Sequence, residues 1–119
     1  MVTRSLLDVV KIDYSPPDRT ATSTDPIIAV YAGDIVLQAY FIPIVLATTA
    51  NTEVCGRTGT TNLFVASYDT STGTAGTPID GQQANMPVTI LVDANINIVY
   101  TVAAGGGTVT PKTRYCITI

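Results

Sequence analysis

Eight aspartates are the residues best suited to chemistry: Asp8, Asp13, Asp18, Asp25, Asp34, Asp69, Asp80 and Asp93. Two carboxylates facing a glycosidic bond would serve as acid and base, and Asp34, Asp69, Asp80 and Asp93 are the ones that could meet in space. Their spacing does not single out a pair. Turn chemistry accounts for them instead: Asp34 follows a Gly, Asp80 precedes one and Asp93 ends an apolar run. No two stand one residue apart, as a calcium loop requires. Ser67 and Ser71 have no histidine to activate them, because the chain has none, and a Ser-His-Asp triad is excluded. Cys55 and Cys116 likewise lack a neighbouring His, which removes the usual support for a metal site or a thiol nucleophile. Two reduced, buried thiols are the default, with a disulfide as the alternative. Gly105-Gly106-Gly107 is not followed by the Lys and Ser/Thr of a phosphate loop. No catalytic, cofactor or metal residues are therefore assigned, and a non-enzyme is expected.

The elements that position these residues are strands. The longest apolar run is Ile35 to Ala47, IVLQAYFIPIVLA, rich in β-branched and aromatic residues. One alternate set is Ile35, Leu37, Ala39, Phe41, Pro43, Val45 and Ala47. The other is Val36, Gln38, Tyr40, Ile42, Ile44 and Leu46. Successive side chains on a strand point to opposite faces, so both faces of this strand are apolar. A sheet with one wet face should show one polar set. A core on one side and a second chain or covering segment on the other is expected. Pro43 marks an edge, a bulge or a corner where the strand changes sheets.

In chain order, Val9 to Tyr14 alternates as a strand. Ser15 to Pro26, SPPDRTATSTDP, is an extended linker. Residues 1–26 thus make an N-terminal arm and linker before a domain of residues 27–119, with an edge strand of the same chain as the alternative for the apolar part. Further strands are expected over Ile27–Tyr31, Thr52–Arg57, Asn62–Tyr68, Val88–Asp93, Ile96–Val102, Thr108–Thr110 and Arg114–Ile119. Asp69 to Pro87 is an exposed loop of 19 residues, longer than a compact domain ordinarily carries. Short strands roughly 8 to 12 residues apart, with turn signals between them, indicate an all-β, antiparallel β-sandwich or jelly roll with an extended N-terminal arm.

Composition narrows the function class. The 119 residues suit one domain. Charged residues are only 13% and the net charge is −3, about half the usual charged share. So few charges favour an assembled state. Six scattered Lys and Arg argue against a nucleic-acid surface, which needs them clustered. The first residues, MVTRSLLDVVKIDYS, do not read as a signal peptide. A membrane span over residues 27–50 would carry Asp34 near its middle, plus Gln38 and Pro43, and is not expected. The six tyrosines could stack on a sugar, but cross-strand pairing is their commoner role.

The stretch AGDIVLQAYFIPIVLATTA, then TEVCG, then TTNLFVAS, covering Ala32 to Ser67, resembles small virion structural proteins of tailed bacteriophages. The later ILVDANINIVYTVAAGGGTV is similar in style. Where that family often carries acidic residues after the Gly, this chain has Arg57-Thr58-Gly59. The resemblance implies a small β-sandwich or jelly roll, often trimeric, that cements or decorates a capsid. Its partners would be further copies of itself and the major capsid protein, and its place the virion. Leu6, Leu7, Val9 and Ile12 of the arm, with Tyr40, Ile42, Ile44 and Leu46 of the long strand, are the expected contacts. A tail or fibre component touching a host receptor through residues 69–87, or a carbohydrate-binding sandwich, are the alternatives.

Overall fold

A computed structural model describes residues 9–119; the expected contacts Leu6 and Leu7 lie outside the described residues. Among the described residues ten strands run antiparallel: β1 Val9–Tyr14, β2 Ser23–Val30, β3 Ile35–Val36, β4 Gln38–Val45, β5 Thr52–Arg57, β6 Thr60–Asp69, β7 Ile79–Asp80, β8 Val88–Thr89, β9 Ala94–Thr101 and β10 Lys112–Thr118. They form one sheet of order β1-β10-β4-β7, a second of order β2-β9-β5-β6, and a two-stranded ladder of β3 with β8. The fold is all-β, as its Thr- and Val-rich alternation requires.

One core draws on both four-stranded sheets. Tyr14, Ala39, Phe41, Tyr115 and Ile117 come from the first, and Val30, Cys55, Phe64, Tyr68, Ile98 and Tyr100 from the second. The Phe41 and Tyr68 rings meet with centroids 4.7 Å apart, within the range for favourable aromatic pairs. Register explains the alternation. Tyr14 pairs with Thr113 and Ile12 with Tyr115, so Ile12 shares the inner face with Tyr14. Lys11 and Asp13 take the outer face, where charge on an edge strand discourages further pairing.

Several boundaries differ from expectation, each for a local reason. Residues 9–14 pair with β10 of the same chain, so this part of the expected arm takes the edge-strand alternative. β2 begins at Ser23, which puts the expected division at residue 26 inside a strand. Pro26 is tolerated there because β2 is an edge strand and its register shifts between Pro26 and Ile28. The long apolar run is two strands, not one. Ile35 and Val36 pair with β8, and Leu37 N–H then bonds to the Thr118 carbonyl at 2.9 Å, turning the chain into the first sheet. Pro43 pairs with Thr113 and Val45 with Lys112. Ile44 is therefore the extra residue of a bulge, one of the three roles expected for Pro43. The expected strand over Val88–Asp93 is only the two residues of β8, and residues 108–110 form no strand. Within Asp69–Pro87, β7 and a 3-10 turn at Gln83–Asn85 interrupt the loop.

The segment after β7 closes one open side between the sheets. Gly81 N–H bonds to the Ala39 carbonyl of β4 at 2.9 Å, and Gln82 N–H to the Phe64 carbonyl of β6 at 2.6 Å. A Cβ on Gly81 would stand 2.4 Å from the Phe64 oxygen and 2.8 Å from that of Ala39, so only glycine fits between the two strands.

Candidate functional site

The two ends of the molecule differ in chemistry. The end carrying the starts of β5 and β10 is tied by polar bonds centred on Asn51, which is fully buried. Its side-chain amide donates to Tyr100 Oη at 2.7 Å and to the Gly106 carbonyl at 3.1 Å, while its oxygen accepts Ala103 N–H at 2.8 Å. Tyr100 in turn donates to the Arg19 carbonyl at 2.9 Å. A buried amide has few bonds left to make when so engaged. Its role is to hold the Gly105-Gly106-Gly107 turn against the strand ends.

The opposite end is apolar and exposed. There residues 31–36 run antiparallel to residues 88–93. Ile35 pairs with Thr89 and Val36 with Val88. Gly33 N–H bonds to the Ile90 carbonyl and Ile90 N–H to the Asp34 carbonyl, both at 2.8 Å. Val36 and Ile90 point inward and are fully buried, so alternation sends Ile35 and Leu91 outward. Leu91 is 75% exposed, Val92 66% and Tyr31 60%, with Ile35 and Leu37 also exposed beside them. Gly33, at φ +98°, makes the turn that brings Tyr31 round. The two aspartates here serve the backbone: Asp34 accepts Tyr31 N–H at 2.9 Å and Asp93 accepts Ala32 N–H at 3.0 Å. The patch is thus held in one shape by ladder and turn bonds. Single exposed apolar residues are ordinary, whereas a group of them gathered on a rigid ladder marks a contact surface.

The expected contact residues divide among three places. Tyr40 and Ile42 lie on the outer face of β4, opposite Cys116 and Arg114. Val9 lies on the same outer face, since it pairs with Thr118 and Thr118 with Gln38. Tyr40, Ile42, Ile44 and Leu46 are half-buried and Val9 exposed. Ile12 faces the core instead. Sequence reasoning passed over Leu91, Val92 and Tyr31. Their signal was an apolar pair, Leu91-Val92, beside turn residues rather than inside a periodic strand.

Of the four aspartates able to form a glycosidase pair, three are taken up by turns. Asp34 and Asp93 cap the apolar end, and Asp69 accepts both Ser71 N–H and its hydroxyl, at 2.9 and 2.6 Å. Asp80 is exposed on β7 and borders a cleft of about 210 Å³ with Phe41, Val65, Ser67, Ile79 and Gln82. Ligand pockets for small molecules usually start near 300 Å³. Among the described residues no three His, Cys, Asp or Glu side chains come together as metal ligands. Both cysteines are free and buried.

One carboxylate stands apart. Glu53, the chain's one glutamate, is buried between the sheets. Tyr115 Oη–H donates to its Oε1 at 2.6 Å, while its Oε2 has no hydrogen-bond partner. Burial pushes the carboxyl up to about 7, and the Tyr115 hydroxyl pulls it part of the way back. Burial and the Glu53 charge in turn push the Tyr115 and Cys55 groups up. Glu53 is fully buried, so it acts within the core.

No family model matches the chain, and no curated protein or solved structure is similar to it.

Proposed function

We propose that this chain is a non-enzymatic virion structural protein, a capsid cement or decoration protein that stabilises a shell through contacts with its own copies and with the major shell protein. The observation that carries the reading is the apolar end of Tyr31, Ile35, Leu37, Leu91 and Val92. A protein with 13% charged residues that exposes its most apolar loop on a rigid ladder is built to bury that loop. Apolar burial contributes about 25 cal/mol per Å², and symmetry repeats each contact across a shell. The resemblance of Ala32 to Ser67 to small virion proteins of tailed bacteriophages supports a virion as the particle.

The strand order supports the same reading. Two four-stranded antiparallel sheets of order β1-β10-β4-β7 and β2-β9-β5-β6 favour a jelly-roll β-sandwich, an architecture that capsid proteins use. The outer face of β4, with Tyr40, Ile42 and Ile44, is half-buried already and takes a secondary part in subunit contact.

The exposed run Thr72–Pro78 favours one other reading, a tail or fibre component that meets a host receptor through this loop. Copy number on the native particle separates the two. A ratio near one chain per shell subunit, or one per few, is the expected result. A handful of copies per particle would move the chain to the tail or a vertex. Absence from any particle would end the virion reading.

A further inference from the structure

We propose that β1 is a strap held shut by the proton on Glu53: when that carboxyl ionises, β1 lifts from β10 and water reaches the buried group. The inference concerns the chain's own core and holds whatever the chain assembles with.

The surroundings of Glu53 carry it. The side chain is fully buried between the sheets, and the Tyr115 hydroxyl donates to its Oε1. Oε2 has no hydrogen-bond partner, although Thr113 stands near enough to favour the charged form. The titratable groups that feel the Glu53 charge come from five strands: Tyr14 of β1, Cys55 of β5, Tyr68 of β6, Tyr100 of β9 and Tyr115 of β10. None of them is a cation. Asp25 of β2 lies one hydrogen bond behind Tyr14, and β4 adds the Phe41 ring, packed on Tyr68 and Tyr115. A carboxylate in this cluster has no counter-charge and too few donors, so the group either holds a proton or reaches water. Burial raises the four tyrosines and the thiol, which leaves Glu53 as the member of the set that changes charge near neutral pH.

β1 is the weakest wall around it. Among the described residues this strand sits at the edge of its sheet and pairs with β10 alone. Tyr14 is its one buried side chain. Tyr14 stands opposite Thr113 in the register, and its hydroxyl donates to Asp25 in the second sheet. One ladder, one buried ring and one bond between the sheets thus hold β1 down. Segments with so few buried contacts open well below the cost of global unfolding. Lifting β1 takes the Tyr14 ring away from the cluster and gives Oε2 a path to water. The ionised carboxylate favours that open state and the protonated acid the closed one, so pH shifts the population between them.

Amide hydrogen exchange on the full chain tests this, at pH 5.5 and 8.5, with rates corrected for the pH dependence of the exchange chemistry itself. Amides of β1 should exchange through an opening easier than the one that exposes β9. That opening should become about tenfold or more commoner at the higher pH. Glu53→Gln should keep β1 at its low-pH protection at both values; should that variant not fold, Glu53→Met removes the same charge. Asp25→Asn should loosen β1 at both values alike and leave the ratio between them unchanged. Three results would each overturn the inference: β1 amides that open only with the whole molecule, a β1 opening indifferent to pH, or a pH response that survives at Glu53→Gln and vanishes at Asp25→Asn.

Discussion

The Tyr115 hydroxyl donates to Glu53 Oε1 at 2.6 Å across the core, joining β10 of one sheet to β5 of the other. This bond satisfies one oxygen of a carboxylate that is fully buried, and leaves the other oxygen alone. An uncompensated buried charge is costly, so the group takes up a proton instead.

Stability should therefore fall as pH rises through the window set by Glu53. Its carboxyl titrates near 4.5 when unfolded and near 7 when folded. Below the lower value both states are protonated and the group costs nothing. Between the two, the folded chain holds a proton that the unfolded chain has released, so each step up in pH favours unfolding. The loss levels off above pH 7 at roughly 3 kcal/mol. Urea denaturation between pH 4.5 and 8 should show this slope, and Glu53→Gln should flatten it while raising stability at pH 8. Asp13 and Asp18, held below the usual carboxylate range by Arg114 and by Thr20 respectively, act in the opposite direction and only at lower pH. A Glu53→Gln chain that keeps the wild-type slope would refute the assignment.

Asn51→Ala should cost roughly 3 kcal/mol, because it strands the Gly106 carbonyl and the Ala103 N–H and removes a donor to buried Tyr100. Denaturant melts give the magnitude. Hydrogen exchange gives the place: the Ala103 amide should lose protection first, with β6 and β9 amides following only at the level of global unfolding. Uniform loss across all amides would mean the knot is not a local tie.

Gly81→Ala should destabilise by about 1–3 kcal/mol, as overpacking does. The new methyl would press on two backbone oxygens, of Phe64 and Ala39, neither of which can move aside like a side-chain tip. Gly76→Ala, also in the β6–β7 region, meets nothing within 4 Å and loses only the freedom that its φ of +84° requires. A calorimetric comparison should rank Gly81→Ala as the more damaging.

Neither thiol should react with a water-soluble disulfide reagent while the chain is folded. Both Cys55 and Cys116 are free and buried, and burial together with the Glu53 charge holds the Cys55 thiol protonated. Two thiols per chain should appear in denaturant. Fewer than two would point to a covalent bond between them.

Much of the strand map was legible because alternation is a local property. The bounds of β1 follow from a run in which every second side chain is apolar, and Tyr14, Phe41, Tyr115 and Ile117 each stand at such a position. Glu53 shares its alternate set with Cys55, which was the available sign that the carboxylate would point inward. The break at Leu37 was not legible. Ile35 to Val45 reads as one run whichever partner each residue takes, and only the Thr118 carbonyl and β8 decide where it divides.

What the sequence by itself determined is the class: strands throughout, with two apolar faces on the central run. Hydrophobic period and residue type act within a few residues, so they survive without a fold. Tertiary structure alone decided that Ile35 would pair with Thr89, and that Glu53 would meet Tyr115. These partners are more than fifty residues apart in the chain. Strand pairing is set by the whole sheet's register, a long-range choice that no local pattern encodes.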